Sequence, residues 1–193
     1  MNRIEVFNKI TDWLDNFELN ITEEQILELM QMRRRWPKKY LHTEDYGCLE
    51  LISYFSTLTH AVYRDDLFDG GGYLDYYKFK RYYDNGFTFM LVDILDLTPE
   101  LRTINDYFQD NFGTQVQGNF YINGNKTDGY ASFESHDHNY DVFVKHIYGW
   151  SKWIIDGREI TVKAGDVVAL PAGTMHKVVE SSDKRLSLTI NRQ

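Results

Sequence analysis

The sequence predicts an α+β protein, with a helical region over 1–112 packing on a small antiparallel β-barrel or jelly roll over 113–193 as one structural unit. Two observations carry this reading. Before Asn111 apolar residues recur at threes and fours, the period of a buried helix face. After Gly113 the chain breaks into short segments rich in β-branched and aromatic residues, separated by turn dipeptides. A length of 193 residues, 42% of them hydrophobic, suffices for one core and leaves little for a second full domain.

The first half is justified element by element. Ile4, Phe7, Ile10, Trp13, Leu14 and Phe17 mark a first helix. Thr22-Glu-Glu-Gln25 has the form of a capping box and opens a second helix that runs to Pro37. The apolar run from Cys48 to Val62 reads as a third, closing before the glycine cluster at Gly70–Gly72. That cluster is a loop or hinge and no phosphate loop, since neither a strand precedes it nor Gly-Lys-Ser/Thr follows. A tyrosine-rich helix spans Tyr73 to Asn85, a strand Phe87 to Val92, and Thr98-Pro99-Glu100 caps a helix to about Asn111.

The second half reads as strands Thr114–Ile122, Tyr130–Ser135, Asp141–Tyr148, Trp150–Ile155, Glu159–Val162, Val167–Leu170, Met175–Val179 and Leu186–Ile190. Between them lie Asn123-Gly124-Asn125, Ala164-Gly165-Asp166 and Asp156-Gly157, the last a two-residue hairpin turn. Strands this short and this evenly spaced build a barrel or jelly roll.

Charge and cysteine content exclude several classes. A net charge of -8 argues against nucleic acid and anionic membranes as partners, and the basic run Arg33–Lys39 reads as a solvated helix end. Cys48 is the single cysteine, so no internal disulfide forms, which fits a reducing compartment. With no segment of the roughly 20 apolar residues that span a bilayer, and no apolar leader after Met1, a cytoplasmic location is expected.

The chemistry concentrates in three histidines. Residues two apart on a strand face the same side, so His136 and His138 project together while Asp137 points away. Gly165-Asp-Val-Val-Ala-Leu-Pro171-Ala-Gly173-Thr-Met-His176 then delivers another imidazole through a turn, a strand and a second turn. Imidazole is the commonest ligand for divalent transition metals, and three neutral nitrogens leave coordination sites open, as in catalytic centres.

The segment from Gly165 to His176 resembles the second cupin motif at each of its positions: glycine, five residues, Pro-x-Gly, two residues, histidine. The fold implied is therefore a cupin barrel, a double-stranded β-helix. Phe79–Leu91, Gln117–Ile122 and His136–Trp153 further resemble the JmjC-type protein hydroxylases, especially those acting on ribosomal proteins, over about residues 75–190. That family is similar in using Fe(II) and 2-oxoglutarate with a His-x-Asp…His triad. Here His136 and His176 match the two family histidines, and His138 stands at the carboxylate position. Asp137 and Asp141 could be called in as substitutes, although strand alternation points Asp137 outward.

The family's carboxylate anchor, a Lys or Arg two residues after the strand glycine, is replaced by Ser151 after Gly149. Arg185-Leu-Ser187 resembles the Arg-x-Ser element that other 2-oxoglutarate oxygenases use instead, and a guanidinium suits a carboxylate through its planar fork. Lys145, in phase with Ser151, is another candidate cation, and Asn119 and Tyr121 match positions that line the cosubstrate pocket. His146 breaks that phase and is expected outside the site; His42 and His60 are expected to be structural.

The resulting expectation is an Fe(II), 2-oxoglutarate-dependent oxygenase acting on a protein or small-molecule substrate. A three-histidine cupin dioxygenase without 2-oxoglutarate, and a non-catalytic metal-binding cupin module, are the alternatives. A homodimer, if formed, is expected to use the helical half, because the chain ends directly after the last strand.

Overall fold

A computed structural model describes residues 1–32, 49–52, 75–84, 88–91, 94–124 and 135–192. Helix α1 spans Arg3–Asn16, opened by a reciprocal cap in which the Asn2 side chain accepts the Glu5 N–H (2.9 Å) and the Glu5 carboxylate accepts the Asn2 N–H (3.0 Å). Its buried face is Val6, Ile10 and Leu14; Ile4, expected on that face, is exposed. Helix α2, Glu23–Met32, carries the box expected at Thr22, with the Gln25 N–H donating to the Thr22 hydroxyl and the Thr22 N–H donating to the Gln25 side-chain Oε1.

The expected third helix is corrected at its start: Leu49–Ile52 is a strand, β1, paired antiparallel with β2, Thr88–Leu91. A short apolar run carries no decisive period, and here pairing with a neighbouring strand overrides the helical reading. The rest of that segment, the extension of α2 to Pro37, the basic run, the glycine cluster, His42, His60 and most of the expected strand Tyr130–Ser135 lie outside the described residues. Helix α3 is Tyr76–Asp84, and α4, Pro99–Phe112, begins at a Thr98 cap and ends at Gly113.

Seven further strands follow: β3 Gln117–Asn123, β4 Asp141–Tyr148, β5 Trp150–Ile155, β6 Arg158–Lys163, β7 Val167–Leu170, β8 His176–Ser181 and β9 Arg185–Arg192. They form two antiparallel sheets, one ordered β1-β2-β3-β9-β4-β7 and the other β6-β5-β8. The larger sheet thus takes two strands, β1 and β2, from the first 112 residues. Asp156 and Gly157, both at positive φ (46° and 79°), make the hairpin turn read from the sequence.

Strand alternation divides the larger sheet into two faces. Phe120, Ile122, Phe143, Leu186, Leu188 and Ile190 pack outward against Ile10, Leu14, Leu101, Ile104 and Phe108 of the helices. Val142 and Val144 face inward and form the barrel interior with Trp153, Val162, Val168 and Leu170. This is a cupin jelly roll with a helical layer on one side.

Two features of β4 decide what reaches the interior. Lys145 points to the helical side, donating to the Gly165 carbonyl (2.7 Å) and the Asp15 carbonyl at the end of α1 (3.4 Å). After His146 the register with β9 shifts, a bulge, and Gly149 at φ 76° then turns the chain from the larger sheet into the smaller. A Cβ at Gly149 would run into the Lys184 carbonyl and the Ser182 hydroxyl, so only glycine fits. Among the described residues no helix is long and apolar enough to cross a membrane.

Candidate metal centre

His176 opens β8, and its backbone pairs with His136 in an isolated bridge, with N–H···O contacts of 3.1 and 2.9 Å in the two directions. His138 lies just outside any ladder, its carbonyl accepting the Gly173 N–H at 2.8 Å. Among the described residues around His136 and His138 the pairing is this one bridge, and the backbone brings both histidines to the same mouth. The ligand atoms of His136, His138 and His176 all lie within 4.8 Å of one another. Side-chain rotation closes that spread onto one ion at the roughly 2 Å of a metal–imidazole bond.

The protonation states suit metal binding. His176 Nδ1 lies 2.9 Å from the Thr174 carbonyl, which fixes the proton there and leaves Nε2 free to ligate. Burial depresses the His176 pKa. Burial first, then the neighbouring His136 and His176, push His138 down to about 4, so its lone pair is available at neutral pH. Tyr140 stacks on the His138 ring and Trp153 on the His176 ring, with centroids at 5.0 and 6.0 Å. Neither nearby aspartate is a ligand: Asp137 is exposed, and Asp141 is held by Arg3 (2.6 Å), Arg192 (3.2 Å) and the Ala172 N–H (3.1 Å).

The remaining expected residues distribute as the two faces dictate. Tyr121, Arg185 and Ser187 line the same cavity as the three histidines. Asn119 is buried one step along β3, opposite Thr189, which also lines the cavity. Lys145 is on the far side of the sheet, since the neighbouring Val142 and Val144 are the residues of β4 that line the cavity. Its supposed phase with Ser151 is broken by the bulge. Ser151 is buried on β5 with its hydroxyl held by His146 Nε2 (2.8 Å) and Trp153 Nε1–H (2.7 Å).

Arg185 is 2% exposed, and its Nε has no hydrogen-bond partner among the described residues. No ion pair joins it to a carboxylate among the described residues. Burial lowers its pKa to about 10, which keeps it charged at neutral pH. His146, expected outside the site, is fully buried on the inward face of β4, across from Ser187 on β9. No sequence signal marks the bulge that places it there.

His146 gives the chain a pH dependence with a definite sign. Burial, aided by the Arg185 charge, lowers it from its ordinary 6.5 to about 3. Between those values the unfolded chain binds a proton that the folded chain does not, so stability falls as pH falls. From pH 6.5 to 5 the expected loss is about 2 kcal/mol from this residue. Urea unfolding of the metal-free protein at the two pH values, in wild type and in His146→Asn, checks it: the variant should lose that part of the slope.

Comparison with known proteins agrees with this architecture. Residues 128–190 match the model of the cupin domain. The ribosomal oxygenase YcfD of Escherichia coli superposes on 92% of this chain with a TM-score of 0.56 at 13% identity. The same protein in complex with cobalt and succinic acid gives 0.57 at 12%, again over 92% of this chain. The chain spans 45% of the length of YcfD. A cupin 2 conserved barrel domain protein of Salinispora arenicola CNS-205 is 25% identical over 43% of this chain and 67% of its own, with a TM-score of 0.35. No curated protein matches the sequence.

Proposed function

We propose that this cupin-fold chain is a non-haem Fe(II) oxygenase that takes 2-oxoglutarate as cosubstrate and hydroxylates a protein or small-molecule substrate. The observation that carries this reading is Arg185. A buried guanidinium without a carboxylate partner is costly, and it lies in the cavity of three converging imidazoles. A ligand with one end on the metal and a carboxylate at the other would relieve that cost. The cobalt and succinic acid complex of YcfD, alike in fold, is a precedent for a protein of this fold that takes both a metal and a dicarboxylate.

The residues fit the metal. Three neutral nitrogen donors suit a divalent first-row ion and leave open positions for other ligands. Bound there, iron would supply the activation of dioxygen. The chain's own part is to bind and orient: His136, His138 and His176 hold the ion, and Arg185, with the hydroxyls of Ser187 and Tyr121 beside it, receives the distal carboxylate. Val142, Val144 and Trp153 make an apolar wall that excludes water from the same space.

Anaerobic addition of Fe(II) and then 2-oxoglutarate tests the reading. Wild type is expected to develop the weak visible charge-transfer band of a chelated 2-oxo acid, and Arg185→Ala to require at least a tenfold higher concentration, one lost charge-assisted contact. Bound iron without a band would favour the second reading, a three-histidine dioxygenase that needs no 2-oxo acid. The absence of a carboxylate from the ligand set among the described residues is the specific observation behind that reading.

A further inference from the structure

The inner face of the larger sheet carries a polar row that the metal centre alone does not explain. Tyr121 on β3 pairs with Ser187 on β9, and Ser187 pairs with His146 on β4, so the three share one face across adjacent strands. Arg185 precedes Ser187 by two residues and faces the same way. From the opposite sheet Ser151 meets His146, and Trp153 meets Ser151.

The donors and acceptors in that chain can be assigned. Trp153 Nε1–H can only donate, so the Ser151 oxygen accepts it. The Ser151 hydroxyl proton then needs an acceptor, and His146 Nε2 at 2.8 Å is its partner. The reverse assignment would leave the Ser151 proton without an acceptor in a dry site, at the cost of a buried unsatisfied donor. With Nε2 accepting, the proton of the neutral ring sits on Nδ1. That atom is buried and has no partner among the described residues, and the Nε of Arg185 is in the same condition.

We infer that His146 is a recognition residue for the anionic group of the ligand, its Nδ1–H donating beside Arg185, with Ser151 and Trp153 acting as positioning residues that lock the tautomer. The inference rests on the cosubstrate reading for the identity of the ligand, but not for its chemistry, which is a small dicarboxylate. Two buried orphan donors, one charged and one neutral, match the two oxygens of one carboxylate. They also divide the labour: the guanidinium supplies charge, and the imidazole supplies direction.

The experiment uses the full chain loaded anaerobically with Fe(II), in wild type, His146→Phe and His146→Asn. The asparagine amide replaces the Nδ1–H donor, and phenylalanine removes it. Succinate binding is read by calorimetry, 2-oxoglutarate and pyruvate by the visible band, and folding by near-ultraviolet circular dichroism. His146→Phe is expected to weaken succinate and 2-oxoglutarate about tenfold or more, to leave pyruvate unchanged, and to be largely rescued in His146→Asn. Equal succinate affinity in wild type and His146→Phe overturns the inference, as does a parallel loss of pyruvate, which would mark a merely structural residue. Succinate binding that depends on His146 without any band for 2-oxoglutarate would support the pocket and defeat the cosubstrate reading. Binding of neither dicarboxylate by wild type would overturn both.

Discussion

Replacing His176 with alanine is expected to weaken divalent metal binding by about 100-fold or more, a larger loss than the 10–100-fold typical when a residue that merely supports a ligand is removed. His176 is the best fixed of the three ligands. Its backbone is tied to His136 on both sides of the bridge, its Nδ1 to the Thr174 carbonyl, and its ring lies against Trp153. His136→Ala and His138→Ala remove a donor from a less constrained segment and are expected to act in the same direction. Titration with Co(II), followed by visible absorption, reads the affinity and the coordination change together. Each variant should keep its fold, because the ligands contribute little to either apolar core. Wild-type affinity in His176→Ala would show that the cluster does not hold the ion.

Much of the fold was legible because the chain announces its boundaries locally. The Thr22 and Thr98 caps, the Asp156-Gly157 turn and the β-former-rich run Asp141–Tyr148 each depend on residues close in sequence, and each is present in the fold. Leu49–Ile52 was misread because its state depends on pairing with Thr88–Leu91, a partner no local period reveals. The three-histidine cluster was legible for a different reason: the His-x-His spacing and the Gly165–His176 turn sequence are local signals, and the three imidazoles do converge.

The second half of the site was not legible in the same way. Lys145 turns to the helical side and His146 turns inward to meet Ser151, because a bulge beyond His146 changes which residues of β4 and β5 oppose one another. The Arg-x-Ser spacing marks Arg185 as a candidate carboxylate anchor, but its place after the polar turn Ser181-Ser182-Asp183 gives no sign of its burial. Its burial comes from being the first residue of β9, paired with Asn123 in the middle of the larger sheet. Burial of that kind is set by the closing of the two sheets, which spacing along the chain does not encode.

Arg185→Met should make the ligand-free protein more stable while destroying its response to dicarboxylates. A buried charge with no ion-pair partner among the described residues opposes folding, and a linear apolar side chain of similar length fills the same space without that desolvation cost. The expected gain is about 1–3 kcal/mol in urea unfolding of the apo protein. Saturating succinate should then stabilise wild type, by an amount that grows with the logarithm of its concentration, and leave Arg185→Met unmoved. The two effects have opposite signs, which separates them from ordinary damage to the core: a variant that is less stable in the absence of ligand would mean that Arg185 serves the fold. Stability gained on losing the guanidinium would instead mean that the protein carries a standing cost at this position, which is what a residue kept for its ligand requires.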